Sequence, residues 1–130
     1  MLNKDGKREL AYVDVVHDIV PIKGADNIEL VHVEAWNLIA RKGEFKEGDK
    51  CVFFEIDSRL PKEDARFEFM DKKGYKVKTM KLSKFGVFSE GLALPLSQFP
   101  EIPQDAEPHT FVTDLLKVTY YDPEDNGRIS

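Results

Sequence analysis

The side chains in this sequence with chemistry to offer are cationic: Arg41, Lys42 and Lys46 in one polar stretch, and Lys76, Lys78, Lys81 and Lys84 in another. Brought to one groove, such residues neutralise phosphates and give a salt-sensitive, sequence-poor grip on nucleic acid; scattered, they are a solvated face. Lys76 and Lys78 alternate with Val77 and Thr79, so a strand here would show two ammonium groups on one face and bury the other. Trp36, the one tryptophan, could stack on a base. Its mostly apolar surroundings favour a core position instead.

Covalent and metal chemistry is poorly represented. His17, His32 and His109 are far apart and have no carboxylate or cysteine at ligand spacing, so no metal site is expected. Glu55 and Asp57 share a strand face and could act as acid and base or hold Mg2+, but acids are common at strand ends. No GxSxG elbow and no GxxxxGK[ST] phosphate loop occurs. Cys51 lies inside the apolar run Cys51-Val52-Phe53-Phe54 and reads as a small core residue. No catalytic residue is expected in this chain.

The elements that must position these residues are mainly strands. Leu10 to Ile22 is rich in valine and isoleucine with partial period-2 alternation and is predicted to be a long first strand. Lys23 to Asn27 is turn chemistry. Ile28 to Glu34 and Trp36 to Ala40 follow as two strands, and Lys50 to Ile56 reads as a central one. Lys62 to Lys73 predicts a helical turn or an excursion, because Phe67, Phe69 and Met70 fit neither period. Ser89 to Pro95 is a short buried run, and Thr110 to Leu116 predicts a short helix capped by Thr110 or Thr113. Short strands at intervals of roughly 8 to 12 residues, punctuated by Gly, Pro, Asn and Asp, give a mainly all-β fold. Five strands with one irregular insertion suggest a five-stranded OB-fold barrel with a short helical element and an extended C-terminal linker.

With 130 residues, 42% hydrophobic and 33% charged, the chain is the size of one domain. The organisation expected is a flexible N-terminus over 1–9, the barrel over 10–98, and an acidic, proline-rich extension over 99–130. From Phe99 onward seven acids face only Lys117 and Arg128, so that part carries the whole formal charge of -5 and residues 1–98 are neutral. An acidic end thus conceals a locally basic surface. A single cysteine fits a reducing compartment. No apolar stretch approaches the roughly 18 residues of a membrane span. No membrane partner and an intracellular, cytoplasmic location are expected.

Three segments carry a family resemblance: Pro21 to Glu29 (PIKGADNIE), Lys42 to Asp49 running on to Phe54-Glu55-Ile56-Asp57-Ser58-Arg59-Leu60-Pro61, and Lys78 to Leu82 with Ser89 to Pro95 (SEGLALP). In order and spacing they resemble the N-terminal OB domain of ATP-dependent, nick-sealing RNA ligases, in which this module precedes a nucleotidyltransferase domain. The likeness covers about residues 8 to 122. A weaker one, through Gly86-Val87-Phe88-Ser89-Glu90-Gly91, is to tRNA-binding OB modules of some aminoacyl-tRNA synthetases.

The ligase resemblance implies RNA, nicked duplex or structured, as partner, with Arg41, Lys42, Lys76, Lys78, Lys81 and Lys84 touching phosphates. It also implies a nucleotidyltransferase domain in cis that carries ATP, Mg2+ and the sealing chemistry, with no cofactor in this chain. Such ligases form a lysyl-adenylate on a KxxG motif, and none of the eight glycines here has a lysine three residues before it. The chain therefore reads as a non-catalytic module of an RNA-repair ligase. The alternative is a free-standing tRNA or structured-RNA binding OB protein.

Overall fold

The computed structural model describes residues 1–34 and 36–121. Its strands are β1 (Ala11–Pro21), β2 (Ile28–Val33), β3 (Trp36–Arg41), β4 (Lys50–Phe54), β5 (Ser58–Arg59), β6 (Met80–Leu82), β7 (Val87–Ser89), β8 (Leu92–Pro95) and β9 (Thr119–Tyr120). A five-stranded antiparallel sheet in the order β3-β2-β1-β4-β8 curls into a half-barrel.

The long first strand serves two neighbours because it bends. Its N-terminal half pairs with β4 from Ala11↔Phe54 to Val15↔Lys50, and its C-terminal half pairs with β2 from Val16↔Val33 onward. The register shifts between Val16 and Asp18, and a bulge of this kind raises local twist enough to turn a sheet on itself.

The circuit closes between β3 and the chain after β7. Glu90 N–H donates to Asn37 O at 2.8 Å, and Ile39 N–H donates to the Ser89 hydroxyl at 3.2 Å. Gly91 separates β7 from β8 with φ +128°, and a Cβ there would lie 2.8 Å from both Phe53 Cζ and Phe54 O. Only glycine fits this corner.

The core has two layers. Tyr12, Val31, Val33, Leu38 and Phe53 fill the barrel, whereas Val13, Val52 and Phe54 face outward onto Phe67, Phe99, Ile102, Val112 and Leu116. β1 and β4 are thus covered on both faces, which is why Lys50 to Ile56 reads as one dense apolar run. The proline-rich segment from Phe99 onward supplies Phe99, Ile102, Val112, Leu116 and Val118 to this outer layer and packs against the barrel.

Two sequence expectations need correction. Thr110 to Leu116 forms no helix: β2 leaves the first half of β1 with a free edge, and this segment takes it. Val13 N–H donates to Thr110 O at 2.9 Å and Val112 N–H to Ala11 O at 2.9 Å, while the Thr113 hydroxyl pairs with the Ala11 backbone at 3.2 Å instead of capping. Backbone pairing on an open strand edge outweighs a local cap signal. The lysine-rich alternation also yields a strand only over Met80–Leu82, paired with β7. Before it, Val77 is buried and hydrogen-bonded on both sides of its peptide, to Asp57 N–H and Ser58 O, and Thr79 is exposed and does not share its face.

The predicted excursion is a 3-10 helix, Ala65–Lys73, started by Asp64 accepting from Arg66 N–H and ended at Gly74 in the left-handed region. Phe67 and Met70 bury together at the three-residue period of such a helix, and the exposed Phe69 between them is what breaks the apolar pattern. Residues 122–130, the acidic end expected to be a linker, lie outside the described residues. Among the described residues, no helix is long and apolar enough to cross a membrane.

Candidate nucleic-acid interface

The 3-10 helix and the segment 76–81 stand over one side of the curled sheet and leave a groove of about 1030 Å³ between them and β3 and β8. Its floor is apolar, with Leu38, Ile39 and Leu92 from the sheet. Its walls are basic. Arg41, Arg66, Lys72, Lys73, Lys76, Lys78 and Lys81 line it against one carboxylate, Glu44. Seven cations facing one acid, in a chain of formal charge -5, is a strong local inversion of sign.

Each side chain has a traceable anchor. Arg41 ends β3, opposite Ile28 at the start of β2. Lys76 and Lys78 flank buried Val77, and both ammonium groups lie over the Tyr121 ring, at 4.1 and 5.5 Å from its centroid. Lys81 sits in the β6–β7 hairpin opposite Phe88. Lys72 and Lys73 close the 3-10 helix, where cations oppose the carbonyl ends. Arg66 is already engaged: it pairs with Asp64 and Glu101 at 2.7 Å and covers Phe99. Burial pushes the Glu44 carboxyl up, and Arg41 counters this in part.

Of the six residues expected from sequence, Arg41, Lys76, Lys78 and Lys81 share the groove, whereas Lys42 and Lys84 do not line it. Lys84 leaves the hairpin turn and lies over its neighbour Phe85 at 5.5 Å. Lys72 and Lys73 are groove residues that sequence reasoning passed over, because a helical excursion gave no hint of which way it faced. Trp36 stacks on Phe53 with centroids 5.9 Å apart and planes at 19°, so one face of its ring is occupied. The exposed aromatic in the groove is Phe69.

The arrangement can hold a polyanion and offer one ring to stack on. A family model described as an OB-fold domain matches residues 10–96. The chain belongs to the OB-fold domain family. This OB-fold domain is also similar to solved structures of an RNA ligase from Naegleria gruberi. The ligase with PPi shares 36% identity at TM-score 0.81, over 95% of this chain and 37% of that one. A variant with AMP and Mn shares 36% at TM-score 0.80, over 89% and 36%. An apo variant shares 35% at TM-score 0.81, over 90% and 36%. The OB-fold domain spans little more than a third of the length of these ligases. No curated protein sequence matches it.

Proposed function

We propose that this OB-fold domain is the RNA-engaging, non-catalytic module of an ATP-dependent RNA ligase, and that it grips the phosphate backbone of nicked duplex RNA in the groove between the 3-10 helix and β3. The observation that carries this reading is the cluster of Arg41, Lys72, Lys73, Lys76, Lys78 and Lys81 on one apolar-floored groove of an otherwise acidic chain. Each phosphate neutralised releases condensed counterions, so affinity falls steeply with salt and depends little on base sequence. The OB barrel is a recurrent platform for such binding, and the likeness to an RNA ligase supports RNA as the polyanion.

Adenylylation and sealing belong, on this reading, to a nucleotidyltransferase domain acting in cis with ATP and Mg2+. The chain has no KxxG lysine to attack the α-phosphate, and on this reading its own residues position RNA.

The test is a titration of labelled nicked duplex RNA with the chain, followed by fluorescence anisotropy at about 50 mM and 200 mM salt, a range over which several phosphate contacts change affinity by orders of magnitude. Saturable binding that weakens sharply with salt is expected. Absence of binding at the lower salt overturns the proposal, and equal affinity for uninterrupted duplex removes the nick from it.

A further inference from the structure

On the side of the barrel where the extension joins β1, three residues far apart in sequence meet: Asp14 on β1, Glu34 in the turn after β2, and His109 within the extension. One ligand atom from each lies within 4.8 Å of the other two. His109 Nε2 is 3.7 Å from Asp14 Oδ2 and contacts Glu34 Oε1 directly.

The chain holds this geometry firmly. His109 N–H donates to Val13 O at 2.6 Å, and its ring stands edge-on to Tyr12 at 6.1 Å. Asp14 is the informative member. It is only 1% exposed, its Oδ1 accepts from Val15 N–H, and its Oδ2 is buried with no hydrogen-bond partner. A carboxylate oxygen removed from water and left unpaired is costly unless a cation or donor completes it. Here the unpaired oxygen faces an imidazole nitrogen and a second carboxylate.

We propose that Asp14, Glu34 and His109 form a binding site for a divalent transition-metal ion of the zinc class. One imidazole with two carboxylates and no thiolate suits a borderline ion better than Mg2+ or Ca2+, which take oxygen alone. Ligand bonds near 2.0 to 2.2 Å put tetrahedral ligand atoms roughly 3.4 Å apart, close to the imidazole–Asp14 spacing, and the exposed Glu34 side chain has the freedom to close the rest. The ion would join β1, the β2–β3 turn and the extension at one point, fastening the outer core layer to the barrel. Three protein ligands leave a fourth position for water. This site lies outside the basic groove and does not depend on RNA binding.

The test uses the full chain, titrated calorimetrically with Zn2+ and spectroscopically with Co2+, whose visible bands report low-symmetry nitrogen and oxygen ligation. One ion per chain, a rise in Tm with Zn2+ and no competition from Mg2+ are expected. His109→Gln and Glu34→Gln, both at exposed positions, should each weaken Zn2+ binding by about tenfold or more, since removing even a supporting hydrogen bond to a ligand already costs that much. Asp14→Asn should do the same if it folds; if it does not, the two exposed variants carry the test. No Zn2+ or Co2+ binding overturns the proposal and leaves the three side chains as neighbours and no more. Binding that survives His109→Gln and Glu34→Gln overturns it equally, because the ion then sits elsewhere.

Discussion

The Lys76 ammonium lies 4.1 Å from the centroid of the Tyr121 ring, and Arg59 and Lys78 flank the same ring at 5.5 Å each. Tyr121 itself is held by its backbone N–H on Asp57 O at 2.6 Å. Tyr121, in the extension, thus lies against the basic wall of the groove and orders two of its lysines from behind. Tyr121→Leu keeps the apolar bulk and removes the ring face, so a loss of about 1 to 2 kcal/mol is expected, measured by urea denaturation. The salt slope of RNA binding should stay unchanged, because every cation remains.

That slope responds to a different change. Replacing Lys72, Lys73 and Lys81 together by alanine removes three groove cations whose side chains are exposed. Each phosphate that is no longer neutralised makes the negative slope of log K against log salt shallower by about 0.7 to 0.9, giving roughly 2 to 3 for the triple variant. Lys84→Ala, outside the groove, should leave the slope as it was. Equal slopes for wild type and the triple variant would place the RNA on another face.

The strands of the barrel were legible in the sequence because alternation and turn residues are local signals: β1, β2, β3 and β4 lie where Leu10 to Ile22, Ile28 to Glu34, Trp36 to Ala40 and Lys50 to Ile56 were expected, within a residue or two. What failed to show is set by partners distant in sequence. Thr110 to Leu116 carries cap residues yet joins an open strand edge about 100 positions away, as the Ala11–Thr113 pair shows. The groove mixes the two cases. Lys76, Lys78 and Lys81 come as a visible run, whereas Lys72 and Lys73 join them only because the 3-10 helix turns that way. Asp14, Glu34 and His109 have no spacing to read, since three separate segments deliver them.

At Gly91 the barrel corner leaves no room for a side chain. Gly91→Ala would bring Cβ to 2.8 Å from the Phe54 carbonyl oxygen at a φ of +128°. Overpacking and backbone strain together should cost more than about 2 kcal/mol. A Tm within error of wild type would show that β8 can shift off β4 without penalty.

Glu55 is buried, and burial alone would push its carboxyl up. The Met1 ammonium, the Tyr12 hydroxyl at 2.7 Å and Arg8 at 3.1 Å outweigh this and hold it below the ordinary value of 4.5. A depressed folded value means that the unfolded chain takes up the proton first. The stabilisation is therefore complete above pH 4.5 and disappears as pH falls through the lower, folded value. Glu55→Gln should cost about 3 kcal/mol at neutral pH, as expected for breaking a buried ion pair. The gap in Tm between variant and wild type should narrow on acidification below pH 4.5. A gap independent of pH would assign the loss to packing.

Phe69 separates stacking from charge. Its ring is 56% exposed at the groove, so Phe69→Ala opens no cavity and should change stability by no more than about 0.5 kcal/mol. If a base stacks there, the substitution removes about 1 to 3 kcal/mol of binding, roughly five- to 150-fold in affinity, with no change in salt slope. Phe69→Tyr keeps a ring face and should restore most of it. Continuous duplex has its base faces already stacked on one another, whereas a nick or a single-stranded end can offer one. The loss should therefore be large for nicked or single-stranded RNA and small for uninterrupted duplex. A uniform loss across all three would mean that Phe69 shapes the groove for phosphates and meets no base.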